Sequence, residues 1–238
     1  MELIFVNGYD VVNTTFENKE HIKSVDCLYR DWSNNSMDYA FKDCINLLSV
    51  TNINQNISSM VGTFENCYNM ATQPIIPDSV VNMHQTFYNC SLLLSGRISN
   101  NAQDLSQAFY NCSNITQFPN ITNTVNMYQS FDGCSNIYGD IYIHSEIITN
   151  AVNCFSNTSL EKNVYIPFQN NGVNTLTYNS FINAGYKTDQ RVNGVLLFDI
   201  NDEGIDLSDY EYFIDSNKIA HLIKYIGSNT DVIQPKIN

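Results

Sequence analysis

The sequence predicts an α/β repeat solenoid in which every coil carries one short strand and one short helix or turn. Three observations lead there. A segment ending FENC at Cys67 returns as VNMHQTFYNC (81–90), QDLSQAFYNC (103–112) and VNMYQSFDGC (125–134). Its phenylalanine recurs at Phe16, Phe41, Phe64, Phe87, Phe109, Phe131, Phe155 and Phe181, at spacings of 22 to 26 residues. That period is the length of one coil stacked on the next. The residue two after each phenylalanine is always Asn, Asp or Gly: Asn18, Asp43, Asn66, Asn89, Asn111, Gly133, Asn157 and Asn183. These side chains tolerate the left-handed backbone that stops a helix.

Each element follows from the unit. Met60, Thr63 and Phe64 are related as i, i+3 and i+4, which puts them on one face of a helix of one to two turns. The Asn, Asp or Gly cap ends it, and the cysteine that usually follows turns back inside as a small buried group. The expected core is therefore Phe41, Cys44, Phe64, Cys67, Phe87, Cys90, Phe109, Cys112, Phe131, Cys134, Phe155 and Phe181. An apolar residue six after the phenylalanine joins it at Ile22, Leu47, Met70, Leu93, Ile115 and Ile137. Short runs rich in Ile, Val, Thr and Tyr follow, at 47–53, 95–99, 116–121 and 140–145, and read as strands of a parallel sheet.

The ends are less regular. Residues 1–9 read as a cap strand, LIFV, and an Asn-Gly turn, because a stack otherwise ends in an exposed apolar coil. The array runs over 10–190, with a degenerate first coil over 10–30. Trp32 lies in the insertion DWSNNS and reads as packing for that loop, with an exposed contact residue as the alternative. In the seventh unit Thr158 stands where cysteine is expected, and Cys154 precedes the phenylalanine. The insertion at 168–174 reads as a loop. Residues 191–238 read as a degenerate repeat with Phe213, Asp215 and Ile219 in phase. A terminal strand near 225–226 or 232–233 completes a cap or docking segment.

The Phe-x-Asn/Gly-Cys-Ser-x-Leu/Ile core, as in 87–93, 109–115 and 131–137, resembles the bacterial surface-antigen (BspA-like) type of leucine-rich repeat. The resemblance covers about residues 10–190. It implies a right-handed, curved, leucine-rich-repeat-like solenoid with a binding or adhesion role, and it carries no catalytic residues.

Charge narrows the partners. Lys and Arg number 11 against 24 Asp and Glu, a net charge of −13. No basic patch offsets this, which speaks against nucleic acid and anionic membrane surfaces. No apolar run is long enough to insert in a membrane. The seven cysteines form no C-x-x-C pair, which argues against zinc. Stacked neighbours have Cβ vectors side by side, so a reduced, buried thiol ladder is expected rather than disulfides. The start, MELIFVNGYD, lacks a basic n-region and a long apolar run, so export by the general secretory route is not expected.

Chemistry-bearing motifs are scarce. His21, His84, His144 and His221 fall in different coils, and no Gly-rich phosphate loop occurs. Asp199, Asn201 and Glu203 occupy the first, third and fifth places of a calcium loop. The twelfth is Tyr210 rather than the bidentate Glu, so the stretch reads as an acidic turn. No cofactor and no catalysis are expected. Binding is expected on the strand faces, through Ser49, Thr51, Ser95, Arg97, Gln117, Tyr142 and Tyr165, with a protein or carbohydrate surface as ligand. The expected function is a non-enzymatic binding or structural module, in the first place a phage virion protein of tail or capsid that attaches to host surfaces or to other virion proteins. The alternatives are a bacterial or protist surface adhesin and, last, a glycan-acting enzyme.

Overall fold

The computed structural model describes residues 4–5, 20–27, 32–158, 161–170 and 172–200, together with the strands at 210–214 and 220–225. The chain divides into two units, residues 1–200 and 201–238.

In the first unit the copies of the repeat are hydrogen-bonded to one another in register. One rung of parallel pairing runs through Ser36, Ser59, Asn82, Asp104, Asn126 and Asn150, always five residues before the phenylalanine. The phenylalanine rings stack behind it. Phe41, Phe64, Phe87, Phe109 and Phe131 follow one another at centroid separations of 5.5, 5.2, 5.5 and 5.1 Å, within 15° of parallel. This is close to the spacing of paired strands, so each coil advances by one backbone hydrogen bond.

From Phe41 to Phe155 the segment around each phenylalanine is a chain of turns, so of the helix or turn expected there it is the turn that forms. Met60, Thr63 and Phe64 do share a buried face. The backbone, however, is left-handed both two residues before the phenylalanine (Tyr39, Gly62, Gln85, Gln107, Gln129, Asn153) and two after it (Asp43, Asn66, Asn89, Asn111, Gly133, Asn157). A right-handed helix cannot propagate through such residues. The amides then alternate. Met37, Tyr39, Phe41 and Asp43 donate to Ser59, Val61, Thr63 and Glu65 of the next coil at 2.8–2.9 Å. Ala40, Lys42 and Cys44 donate back to Met37, Tyr39 and Phe41. Every second N–H thus binds the stack together and the others close turns, which satisfies the buried backbone.

A true helix forms only at the last copy among the described residues. There α1, Leu176–Asn183, carries Phe181 and is capped by Thr175, whose side chain accepts from the Tyr178 amide at 3.1 Å. Asn183 is inside this helix, so the left-handed residue shifts to Gly185 (φ +93°). Phe16 and Asn18 lie outside the described residues.

Strands form at the two ends of the array. β1 (Ile4–Phe5), β2 (Ser24–Asp26) and β3 (Ser49–Thr51) pair in parallel. So do β4 (Ile141–Tyr142), β5 (Lys162–Ile166) and β8 (Val195–Asp199). The strands expected at 95–99 and 116–121 do not form. The coils there carry Pro74, Pro77 and Pro119, which have no N–H to give a ladder. The side chain of Gln73 substitutes for one: its Oε1 accepts from the Arg97 amide at 2.7 Å and its Nε2 donates to the Arg97 carbonyl.

β8 extends the parallel sheet past residue 190, where the array was expected to end. The marker phenylalanine is gone, but Val195 and Leu197 still alternate into the core. The insertion at 168–174, expected as a loop, contains an antiparallel pair, β6 (Gln169–Asn170) with β7 (Val173–Asn174). In the second unit β9 (Tyr210–Ile214) and β10 (Ala220–Tyr225) also pair antiparallel. Phe213 is a strand residue of this two-stranded ribbon. Asp215, Ile219 and residues 232–233 lie outside the described residues.

Inside the first unit, thiols and amides complete the stack. Cys67, Cys90, Cys112 and Cys134 donate to the carbonyls of Phe41, Phe64, Phe87 and Phe109, each in the preceding coil, at 2.9–3.1 Å. All seven cysteines are buried and unbridged. Burial pushes the thiols of Cys67, Cys90, Cys112, Cys134 and Cys154 far above their ordinary range. Asn66 donates to Asp43, Asn89 to Asn66 and Asn111 to Asn89 at 2.6–3.1 Å. On the other side of the phenylalanines, Gln85 donates to Gln107 and Gln107 to Gln129, both at 2.9 Å. Gln129 and Asn157 both donate to buried Asp132.

Candidate functional site

The regular stack is disturbed where the ring of Phe118 enters it. Phe131 and Phe155 are 6.4 Å apart, wider than the pairs before them. Phe118 lies 4.6 Å from the first and 5.7 Å from the second, tilted to both. It anchors the segment 117–120, whose next residue, Ile121, pairs in parallel with Ile143.

Above this anchor lies a groove of about 380 Å³ lined by Gln117, Phe118, Pro119, Asn120, Tyr138, Asp140 and Tyr142. Tyr138 is 60% exposed and Tyr142 42% exposed, so both rings face solvent. Tyr142 is held from behind. Its ring stacks on Tyr165 at 4.7 Å and 7°, and Tyr165 stacks on Phe198 at 5.2 Å and 26°. The register of β4, β5 and β8 causes this, since Tyr142, Tyr165 and Phe198 are direct partners across the parallel sheet. The alternate residues Ile141, Val164 and Leu197 point into the core.

Of the residues expected to bind, Gln117 and Tyr142 line this groove and Tyr165 backs it. Ser49, Thr51, Ser95 and Arg97 do not line it. The Ser49 hydroxyl is 2.6 Å from that of Ser24 across β2 and β3. Thr51 is exposed at the end of β3. Ser95 donates to Gln73 at 3.5 Å, and Arg97 is exposed with its backbone held by the same glutamine. Tyr138, Asn120, Asp140 and Phe198 were missed. Tyr138 falls seven residues after Phe131, where the other coils have Leu48, Ala71, Leu94 and Thr116, and that departure was the available signal.

Other expectations concern residues away from the groove. Trp32 packs edge-on against Phe41 at 6.4 Å and is buried, as expected for a loop anchor. Thr158 donates to Phe155 of its own coil at 3.0 Å, so it does not reproduce the inter-coil bond of the cysteines. Cys154 lies 3.8 Å from the Tyr186 hydroxyl, which also accepts from the Phe155 amide at 3.1 Å. Asp199 accepts from the Phe168 amide at 3.3 Å, while Asn201 and Glu203 lie outside the described residues. Among the described residues no cluster of three or more metal-ligating side chains occurs and no helix is long and apolar enough to cross a membrane.

A family model described as a BspA type leucine-rich repeat region, in six copies, matches residues 11–138 and 64–188. Among solved structures, the leucine-rich repeat protein of T. pallidum is similar at 16% identity and a TM-score of 0.46, over 77% of this chain and 83% of that one. No curated protein matches the chain. With more than half of its residues matched by the family model, the chain belongs to the BspA-type leucine-rich repeat family.

Proposed function

We propose that the chain is a non-enzymatic attachment module, a right-handed solenoid that presents one sheet face to a protein or carbohydrate surface. The observation that carries this reading is the outward row Tyr142, Tyr165 and Phe198 beside the groove. Rigid aromatic side chains offer large contact area at small entropic cost, and they dominate binding surfaces for that reason. Leucine-rich repeat modules generally mediate protein binding, and the BspA type suggests an adhesin-like one. The module is proposed to work on a virion or on a cell surface. Arg97 and Thr51, both exposed, are proposed as the periphery of the contact.

The test is attachment of the full chain to intact host cells or to isolated cell envelopes, measured as a binding isotherm. Tyr142→Ala combined with Tyr165→Ala should weaken attachment while the melting temperature still reports a folded stack. Leu48→Ser, remote from the row in sequence, should leave it unchanged. Attachment that survives the double change would count against this face. The fraction in which the native protein is recovered, virion or envelope, decides its location.

A further inference from the structure

We infer that the groove beside Tyr142 is a subsite for an uncharged sugar ring, with Tyr138 and Tyr142 as stacking platforms and Gln117, Asn120 and Asp140 as its hydrogen-bonding groups. The inference rests on the attachment reading and names its ligand class.

The glutamines and asparagines beside the phenylalanine stack pair with one another from coil to coil. Gln117, Asn120 and Asp140 are exposed, border one groove and make no side-chain hydrogen bond with any described residue, so their polar atoms are open to a ligand. Two amides and a carboxylate offer paired acceptors and donors on planar groups. Neighbouring hydroxyls of a pyranose present the complementary pairs. The other requirement of a sugar is a flat apolar surface for its C–H face, and the exposed rings of Tyr138 and Tyr142 provide it.

The groove is also pre-formed. Phe118 is wedged between Phe131 and Phe155, and Tyr142 is stacked on Tyr165. Little ordering is then left to oppose a small ligand. Its volume of about 380 Å³ lies near the lower end of ligand sites, which run from about 300 to 1,000 Å³. That suits one or two rings.

The chain flanking the groove is held in the stack: the amides of His144 and Ser145 donate to Ile121, and Ile121 pairs with Ile143. Charge selects among sugars. The groove contains Asp140 and no Lys or Arg, in a chain of net charge −13, which disfavours sialic and uronic acids.

The experiment is saturation-transfer NMR and calorimetry on the full chain. The neutral probes are lactose, maltose, cellobiose and diacetylchitobiose, and the acidic probes are sialyllactose and digalacturonic acid. At least one neutral disaccharide should bind saturably and the acidic probes should not. Gln117→Ala and Asn120→Ala, both at exposed positions, should each weaken binding about tenfold, the equivalent of one good contact. Tyr142→Phe should retain it, because the stacking ring remains. No saturable neutral probe, equal binding of acidic probes, or unchanged binding by the Gln117 and Asn120 variants would overturn the subsite. The attachment reading fails separately. If cells still bind in a manner sensitive to Tyr142→Ala with Tyr165→Ala while no neutral sugar does, the face stands and the sugar subsite falls. If neither responds, both fall.

Discussion

The thiol of Cys90 donates to the carbonyl of Phe64, one coil earlier, at 3.0 Å. The same bond joins Cys67 to Phe41, Cys112 to Phe87 and Cys134 to Phe109. Cysteine suits the place because it is small, apolar enough for a dry interior and still a weak donor. Replacing Cys90 with Ala should cost about 1–3 kcal/mol, through the lost bond and the void it leaves. Urea denaturation of the reduced protein measures it, and a neutral change would show that the thiols only fill space.

The same thiols should make stability fall at alkaline pH. Burial raises their folded pKa, so above the unfolded thiol value of about 8.5 the unfolded chain holds fewer protons than the folded one. Unfolding free energy should drop by up to about 1.4 kcal/mol per pH unit for each such thiol. Denaturation at pH 7 and pH 9.5 tests the sign. Native thiols should also react slowly with aromatic disulfide reagents, and all seven quickly once unfolded.

Phe87 sits in the middle of the ring stack, fully buried between Phe64 and Phe109. Phe87→Ala should cost about 3–5 kcal/mol by opening a cavity. Phe118→Ala should cost less, since Phe118 is only partly buried. Chemical denaturation of both variants gives the comparison.

Asn89 combines a left-handed backbone, φ +60°, with two ladder bonds, to Asn66 and from Asn111. Asn89→Ala loses both and should cost about 1–3 kcal/mol, whereas Asn89→Gly keeps the backbone preference and should cost less. Gly133 has φ +79°, and a Cβ there would collide with the Asn111 side chain and press on its backbone at 3.3 Å. Gly133→Ala should therefore cost more than about 1 kcal/mol. Thermal melts of the three variants rank these effects.

Tyr186 is buried, and burial holds its phenol protonated well above the ordinary range. Its oxygen accepts from the Phe155 amide. Tyr186→Phe leaves that N–H unpaired and should cost about 1–3 kcal/mol. Hydrogen exchange at Phe155 should accelerate with it.

The coil period was legible because Phe41 to Phe155 and the five in-phase cysteines mark each turn with residues that only a core accepts. The left-handed position two after the phenylalanine was legible because Asn, Asp and Gly are the residues that adopt it cheaply. The matching position two before was not, since Gln85, Gln107 and Gln129 carry no such preference and are held there by their own ladder. Met60, Thr63 and Phe64 share a face in a helix and in a chain of turns alike, so spacing could not separate them. Gln117, Tyr142 and Tyr165 were reached by strand alternation. Tyr138 and Asp140 were not, because the longer coil after Phe131 shifts the outward positions by one residue: Ile141, ten after Phe131, is buried, where Thr51 and Arg97, ten after theirs, are exposed.

Oxidative footprinting of the tyrosines, with and without the bound surface, tests the attachment face most directly. Protection concentrated on Tyr138, Tyr142 and Tyr165, with Tyr68 and Tyr128 labelled as in the free chain, is the expected result. Unchanged labelling of those three, or protection confined to residues 201–238, would contradict it and make the array a spacer.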